Sequence, residues 1–505
     1  MNIRIKLTSV TGAAVCLSLL VSACWSGKST DRTAITTAVE PVASVTSVAA
    51  GGTVPAVKAV SWHSCGRGGT FECTSVSVPW DYTDPTAGTL DIPVMRSTAS
   101  GTAPRLGTIV FNPGGPGFPG TQVLNALSGY FRALLPRFDI VSFDPRGTGG
   151  AQRVDCGIDP VALVALDQTG GAGSAAAQAW TAMATACRNR LGDHLRLVSS
   201  AETAKDVDLI RQALGVDTID WFGLSHGTRL GFEYLRQFPD RVRSMVLDGA
   251  VEPASTLEQR AHEAASAAES AIERLVGSCA GEISCPLGTD PLGAYDALAE
   301  RLASQPLTST DGHTVGLVAL QVAAGSAASL PAFKSHSFIA ALAADGATQA
   351  DQLLEVGSQN DVNGDDTSDA YWTILCNDDA VSLDANAVAG LARELSVSAP
   401  RAGLGVVATY VAPCEAWPAP AEPHVPTSIT TEVPVLVIGS TGDLSTPYIW
   451  SQHMAAAISG SRLLTRQGEG HTAFYTTFLA CCTGTAITNF FIDANATALP
   501  DNCPD

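Results

Sequence analysis

Short apolar runs alternate with amphipathic segments along much of the chain. Runs of this length suit strands of a parallel sheet that is covered on both faces. They lie at residues 106–111, 138–143, 218–222, 243–247 and 433–438. Between two of them, the segment 203–214 places Val207, Ile210 and Leu214 on one helical face. The alternation of strands and helices predicts an α/β fold with a mostly parallel central sheet flanked by helices.

The predicted ends of that helix also follow from the sequence. Thr203 and Asp206 resemble a capping box at its start, and Gly215 is placed to end it.

The alternation stops between residues 252 and 430, where Ala, Ser, Asp and Gln are frequent. Helical patterns continue there, for example at 257–276 and 382–395. We therefore predict a large helical cap insertion at 252–430, with the α/β core divided between 61–251 and 431–505.

The amino terminus has the pattern of a secretory signal. Arg4 and Lys6 precede an apolar stretch, which ends in small residues directly before Cys24. The Val-Ser-Ala-Cys sequence resembles a bacterial lipoprotein signal, in which that cysteine becomes lipidated. We predict a signal peptide at 1–23, lipidation of Cys24 and a flexible tether at 24–60, since that segment is rich in Ser, Thr, Ala and Val. An ordinary signal peptide ending near Cys24 is the alternative.

Composition excludes some classes of protein. With 46% hydrophobic and 15% charged residues, the 505-residue chain is globular rather than disordered. A formal net charge of −20 argues against nucleic-acid binding, which requires a basic surface.

Export would place the cysteines in an oxidising compartment, where disulfides form. Neighbours in the sequence suggest the pairs Cys65–Cys73, Cys156–Cys187, Cys279–Cys285 and Cys376–Cys414. Cys503 would pair with either Cys481 or Cys482. No cysteine and histidine spacing is typical of zinc, so we expect no metal and no cofactor.

A G-x-S-x-G motif at residues 223–227 predicts the nucleophile Ser225. The position of the motif is more specific than the five-residue pattern alone, because the motif follows a predicted strand and begins an amphipathic helix. A tight turn of this kind exposes the serine hydroxyl, and its glycines keep side chains out of the crowded backbone.

Serine needs a base and an orienting carboxylate. His471 lies in a glycine loop after the predicted last strand, at 462–465, and Asp443 lies just past the strand at 433–438. Asp248, which follows another strand, is the competitor for the carboxylate. The order Ser225, Asp443, His471 is the one that such hydrolases keep, and it favours Asp443.

A Gly/Pro-rich segment at 112–117 follows the first predicted strand. We expect Gly114 and Gly115 to form an oxyanion hole together with the backbone amide of His226, the residue after the nucleophile.

Taken together, these motifs resemble the secreted tripeptidyl aminopeptidase family, which is related to proline iminopeptidases and has the α/β-hydrolase fold. The matching segments are 78–82, 112–117, 144–148, 223–228, 247–249, 442–443, 446–447 and 470–471. The resemblance extends from about Cys65 to Cys503. It implies release of short peptides from free N-termini, with Ser225, Asp443 and His471 as the triad.

Two positions depart from the family pattern. His226 stands where the family usually has tyrosine, and Pro119-Gly120 stands where it usually has Ser-Gly. Both positions are near the expected pocket, so they bear on substrate preference.

An exopeptidase must hold the amine of its substrate with a carboxylate. Asp378 and Asp379, next to Cys376, are the candidates, and a solvated acidic loop is the alternative.

The predicted function is therefore a serine aminopeptidase of the cell envelope or extracellular space that acts on peptides and is anchored by lipid. Two alternatives remain, a carboxylesterase or lipid-ester hydrolase with the same triad, and a surface lipoprotein that binds peptides or lipids without turnover.

Overall fold

A computed structural model describes residues 60–66, 69–157, 166–167, 169–281, 284–329, 332–358, 368–379, 383–417, 428–474, 482–495 and 499–504. The predicted signal peptide, lipidation site and most of the tether lie outside the described residues. All the described residues belong to one compact unit, Ser44–Asp505.

Ten strands of the described chain form one sheet, in the order β1-β2-β3-β5-β4-β6-β7-β11-β13-β14. The first three strands and β5 pair antiparallel, and all the pairs from β5 to β14 are parallel. The strands are β1 His63–Cys65, β2 Phe71–Pro79, β3 Thr89–Ser97, β4 Gly107–Asn112, β5 Phe138–Phe143, β6 Ile219–Leu224, β7 Val242–Asp248, β11 Val435–Gly442, β13 Arg462–Glu469 and β14 Asn502–Cys503. The predicted mostly parallel sheet is confirmed.

The central strands are buried because both faces of the sheet are covered. All six residues of β6 are buried. Consecutive residues of a strand point to opposite faces, so Trp221 belongs to one hydrophobic cluster and Phe222 to another. This explains why the sequence shows continuous apolar runs rather than an alternating pattern.

Helices cover both faces of the sheet. The α-helices are α1 Gly120–Leu127, α2 Ala175–Leu191, α3 Ser200–Leu214, α4 His226–Gln237, α5 Leu257–Ser278, α6 Pro291–Ser304, α7 Leu317–Ser329, α8 Ala332–Ala343, α9 Gly346–Ser358, α10 Ser368–Asp378, α11 Ala385–Ser398, α12 Gly403–Val406, α13 Tyr448–Ala457 and α14 Thr483–Ile492. Helices α1 and α14 contribute to the cluster that contains Phe222. Helices α2, α3, α4 and α13 contribute to the cluster on the Trp221 side.

The described residues between β7 and β11 are mostly helical. Helices α5 to α9 share a hydrophobic cluster of their own, which includes Ile272, Tyr295, Leu320, Phe338 and Leu353. Helices α10 and α11 instead contribute Trp372 and Leu391 to the cluster on the Trp221 side of the sheet. The remaining short strands are β8 Leu307–Thr308, β9 Thr314–Val315, β10 Ile429–Thr430 and β12 Ile458–Ser459.

The predicted start of α3 is wrong. The helix begins at Ser200, and the Ser199 hydroxyl caps it by accepting a bond from the Glu202 amide. Ser199 and Glu202 have the same sequence spacing as a capping box, one turn before the predicted one. Thr203 lies within the first turn and donates to the Ser199 carbonyl. The predicted end is confirmed, because Gly215 adopts a left-handed conformation with φ 69°.

All four predicted disulfides are formed. Cys482 pairs with Cys503, and Cys481 lies outside the described residues. Five disulfides in the described chain indicate an exported protein. None of the helices in the described ranges combines the length and hydropathy of a membrane span.

Candidate active site

Ser225 occupies a strained turn between β6 and α4. Its φ of 54° and ψ of −126° lie outside the regions that non-glycine residues usually adopt. A Cβ at Gly227 would lie 2.5 Å from the Asn112 carbonyl oxygen, and one at Gly223 would lie 2.3 Å from the Gly227 carbonyl oxygen. Gly227 is therefore required for the turn to pack against the end of β4, and Gly223 is required for the turn to close on itself.

His471 and Asp443 form a hydrogen-bonded pair. The imidazole Nδ1 lies 3.0 Å from Asp443 Oδ1 and 2.9 Å from Oδ2. The carboxylate also accepts bonds from the Thr446 amide and hydroxyl, at 2.9 Å each, and from the Thr472 amide. These contacts fix the ring, and they leave Nε2 as the nitrogen that can exchange a proton with a hydroxyl.

The electrostatics of this pair suit a base. Burial alone would lower the pKa of His471, but the charge and hydrogen bond of Asp443 outweigh it and raise the pKa above its ordinary value. Burial would raise the pKa of Asp443, but the charge of His471 and the hydrogen bonds lower it. Asp443 therefore stays ionised and stabilises a protonated His471.

Ser225, Asp443 and His471 lie at the same edge of the sheet. They follow the carboxyl ends of β6, β11 and β13, and β7 lies between β6 and β11. Among the described residues, no hydrogen bond joins Ser225 to His471. Such bonds are often loose before substrate binds, so the geometry is compatible with a triad. Of these three residues, Asp443 and His471 are joined by hydrogen bonds.

Asp248, the competing carboxylate, makes no hydrogen bond to the imidazole, although its charge contributes to the raised pKa of His471. It accepts bonds from the amides of Ala473 at 2.9 Å and Phe474 at 2.8 Å. Burial raises its pKa to about 6, although these two amides oppose the shift. Asp248 thus holds the backbone that follows His471, and its own carbonyl accepts the Ser225 amide at 2.9 Å.

Gly114 and His226, two of the three predicted oxyanion residues, lie together at the Ser225 turn. A Cβ at Gly114 would lie 3.0 Å from both the His226 nitrogen and the Ser225 Cβ. The Gly114 amide donates to Asn112 Oδ1 at 3.0 Å. His226 begins α4, where the first amides have no partner within the helix. This arrangement favours Gly115 and His226 as the donors, with Gly114 providing the space.

The two candidate amine ligands have different surroundings. Asp379 forms a buried ion pair with Arg260, so its charge is balanced within the protein. Asp378 Oδ2 lies 3.0 Å from His226 Nε2, and both of its oxygens accept bonds from Ser200. The solvated-loop alternative does not describe either residue, since the two side chains are 6% and 5% exposed.

Asp378 remains a charged group despite its burial. Burial would raise its pKa, but the hydrogen bond and charge of His226, the charge of Arg229 and the Ser200 bond lower it. Arg229 also donates to the Asp378 carbonyl at 2.8 Å. The cap thus places an ionised carboxylate against the residue that follows the nucleophile.

Ser200 and Arg229 are site residues that the sequence does not reveal. They contact Asp378 across separations of 178 and 149 residues, which no local pattern links. The sequence signal that could have revealed these contacts is His226, because a histidine directly after Ser225 needs a hydrogen-bond partner for its ring nitrogen.

Comparisons with known proteins agree with this geometry. A family model described as an alpha/beta hydrolase fold matches residues 107–477. The serine protease Hip1 of Mycobacterium tuberculosis is 31% identical over 434 residues, which are 80% of this chain and 82% of that protein. Carboxylesterase B of the same species is 30% identical over 491 residues, which are 90% of this chain and 93% of that protein. The tripeptidyl aminopeptidase of Streptomyces coelicolor is 34% identical over 208 residues, 38% of each chain. The resemblance seen in the motifs is thereby confirmed.

Proposed function

Because the chain belongs to the α/β-hydrolase family, we propose that it is a serine aminopeptidase that releases short peptides, of the tripeptidyl type, from free N-termini. The similarity to a serine protease and to a tripeptidyl aminopeptidase supports a peptidase. The observation that carries the proposal is the buried Asp378 carboxylate, whose Oδ2 lies 3.0 Å from Nε2 of His226, the residue after Ser225.

The proposed reaction uses the triad in two steps. Ser225 Oγ attacks the carbonyl carbon of the scissile peptide bond, and its proton passes to His471 Nε2. The amides of Gly115 and His226 stabilise the oxyanion. The C–N bond then breaks, His471 returns the proton to the leaving amine, and an acyl-enzyme remains on Ser225. A water molecule, activated by His471, hydrolyses that ester and restores the enzyme.

Asp378 supplies the free-amine requirement in this proposal. A protonated substrate amine placed near the His226 side of the turn would meet an anionic carboxylate in a largely dry environment, where charge-assisted hydrogen bonds are strong. The cap helix α10 ends at Asp378, so the length of peptide between the amine and Ser225 would be limited by the cap. Asp379 is the weaker candidate because Arg260 already neutralises it.

The test compares one chromogenic tripeptide amide with a free and with an acetylated N-terminus. We expect the wild type to cleave the free form only, and Ser225→Ala to cleave neither. In Asp378→Asn, kcat/KM for the free form should fall about 10- to 100-fold, since a hydrogen bond to a charged group contributes about 1.5–3 kcal/mol.

Asp384→Asn is the matched control, because it removes a carboxylate that caps α11 elsewhere in the cap. Asparagine also caps helices, so activity should stay within about twofold of wild type. Equal cleavage of the free and acetylated peptides would exclude the exopeptidase proposal.

A carboxylesterase is the second candidate, because the relative that covers 90% of this chain bears that name. The same triad hydrolyses esters and amides, so the fold does not separate the two. Rapid turnover of short-chain nitrophenyl esters, with no cleavage of the free tripeptide, would favour the esterase. Failure of Ser225 to react with a fluorophosphonate probe would instead favour a binding lipoprotein without turnover.

A further inference from the structure

Glu252, Glu263 and His453 form a cluster outside the triad. Glu252 follows β7, Glu263 lies on α5, and His453 lies on α13. One potential ligand atom from each side chain lies within 4.8 Å of the other two. The cluster therefore joins the cap helix α5 to two elements of the α/β core.

Two atoms of the cluster are buried without hydrogen-bond partners. Glu252 is 2% exposed, and its Oε2 accepts no hydrogen bond, although Oε1 accepts the Ala254 amide at 3.2 Å. His453 Nδ1 lies 3.3 Å from that Oε2, which is ion-pair distance, but the two atoms do not meet hydrogen-bond geometry. A buried polar atom that makes no hydrogen bond destabilises the folded state. A ligand between these atoms would remove that destabilisation.

The spacing of the two atoms fits a metal ion. Zinc is bound at about 2.0–2.1 Å by imidazole nitrogen and carboxylate oxygen, and its ligands are arranged as a tetrahedron. Two ligands of such an ion are about 3.3 Å apart, which is the Glu252 Oε2 to His453 Nδ1 distance.

The charges and hydrogen bonds of the cluster also fit a cation. Within the described ranges, no lysine or arginine lies at ion-pair distance from Glu252 or Glu263. Trp450 Nε1 donates to Glu263 Oε2 at 2.6 Å, which orients that carboxylate as outer partners orient metal ligands. Arg260, the nearby guanidinium, is paired with Asp379.

We propose that Glu252, Glu263 and His453 bind one divalent transition-metal ion, of the zinc class, which fastens the cap to the core. Two carboxylates and one imidazole suit such an ion better than calcium or magnesium, which prefer oxygen ligands alone. The absence of a zinc-like cysteine and histidine spacing led us to expect no metal, and no such spacing reveals this cluster because its residues come from distant segments. Glu263 also lines a groove of about 480 Å³ that Asp443 borders, so the ion would lie beside the active-site edge.

The test measures zinc binding to untagged, chelator-treated full-length protein by calorimetry. We expect about one ion per chain in the wild type, and a rise in Tm when zinc is added. In His453→Gln and in Glu252→Gln, the Kd should increase at least about tenfold and the Tm rise should vanish. His262→Gln is the matched control, since His262 lies on α5 and lines the same groove but is outside the cluster.

Anomalous diffraction at the zinc edge gives a second measurement that needs no variant. A peak within bonding distance of the three side chains would support the proposal. A peak elsewhere, no saturable binding by the wild type, or equal affinity in wild type and His453→Gln would overturn it, and the cluster would then be a simple ion pair of His453 with Glu252.

Discussion

The backbone of Ser225 is held in its strained conformation by the residues around it. The Ser225 amide donates to the Asp248 carbonyl, and its carbonyl accepts the Thr228 amide at 2.9 Å. A strained residue costs about 1–3 kcal/mol and persists only when the surroundings determine it. Because none of these contacts involves the hydroxyl, Ser225→Ala removes the nucleophile and leaves the turn intact.

The Asp443–His471 pair leads to a prediction about pH. A general base must be neutral to accept a proton, so kcat/KM should fall as pH decreases through the pKa of His471. Asp443 raises that pKa, and its removal should lower it. In Asp443→Asn, we expect the acid inflection of the pH profile to move to lower pH. We also expect kcat to fall about 10⁴-fold, because an amide favours the wrong imidazole tautomer.

The measurement is kcat/KM between pH 4 and pH 9 for the wild type and Asp443→Asn, with Ser225→Ala as the baseline for uncatalysed hydrolysis. Activity of Asp443→Asn within about tenfold of the wild type, or an unmoved inflection, would contradict the assignment of Asp443 as the orienting residue.

Local sequence patterns suffice for some site residues and not for others. Ser225, Asp443 and His471 each follow a strand directly, so the ends of neighbouring parallel strands place them at one edge. The contact of Asp378 with His226, and the cluster that includes His453, depend on how the cap helices meet the core. No periodicity or motif in the sequence predicts how the cap helices pack on the core, so these contacts appear only in the structure.

At the scale of the element, the sequence locates strands better than it locates their ends. The apolar run predicts a last strand at 462–465, but β13 continues to Glu469. Its polar residues remain strand because their backbone pairs with β11, where Arg466 lies opposite Ser440. Backbone hydrogen bonds do not depend on side-chain polarity. Hydrophobic patterns therefore predict strands that are too short where the strand continues into polar residues.

Two glycines, one inside a helix and one at a helix end, should change stability in opposite directions when alanine replaces them. Gly390 lies inside α11, and a Cβ there would meet no atom within 4 Å. Gly390→Ala should therefore stabilise the fold by about 0.5–1 kcal/mol, since glycine is unfavourable in helix interiors. Gly215 has φ 69° at the end of α3, so Gly215→Ala should destabilise by about 1 kcal/mol.

Thermal denaturation of the two variants beside the wild type checks this pair. Each variant adds one methyl group, so each controls for the other. A lower Tm for Gly390→Ala would contradict the open helical environment of Gly390. A Tm for Gly215→Ala equal to that of the wild type would contradict the left-handed conformation of Gly215.

At the scale of the whole molecule, the cap is joined to the core close to the active-site edge. Asp378 bonds to Ser200 and His226, and Trp450 bonds to Glu263. The disulfide Cys376–Cys414 holds the end of α10, from which Asp378 projects, to the segment that ends the helical region. In the proposed function, substrate selection and cap attachment would use neighbouring residues, so a change in one should affect the other.

We predict that the location of the whole molecule depends on Cys24, because the sequence before it resembles a lipoprotein signal. A single acyl chain holds a protein only weakly, whereas two or more give stable anchoring to a membrane. Cys24→Ser should therefore move the hydrolase activity from the membrane fraction to the medium without changing its kcat/KM. Cys16→Ser, which alters the other cysteine of the signal, should leave the activity in the membrane fraction.

Fractionation followed by the tripeptide assay measures both variants. Wild-type activity in the medium would instead indicate an ordinary signal peptide, because the disulfides require export but do not require an anchor.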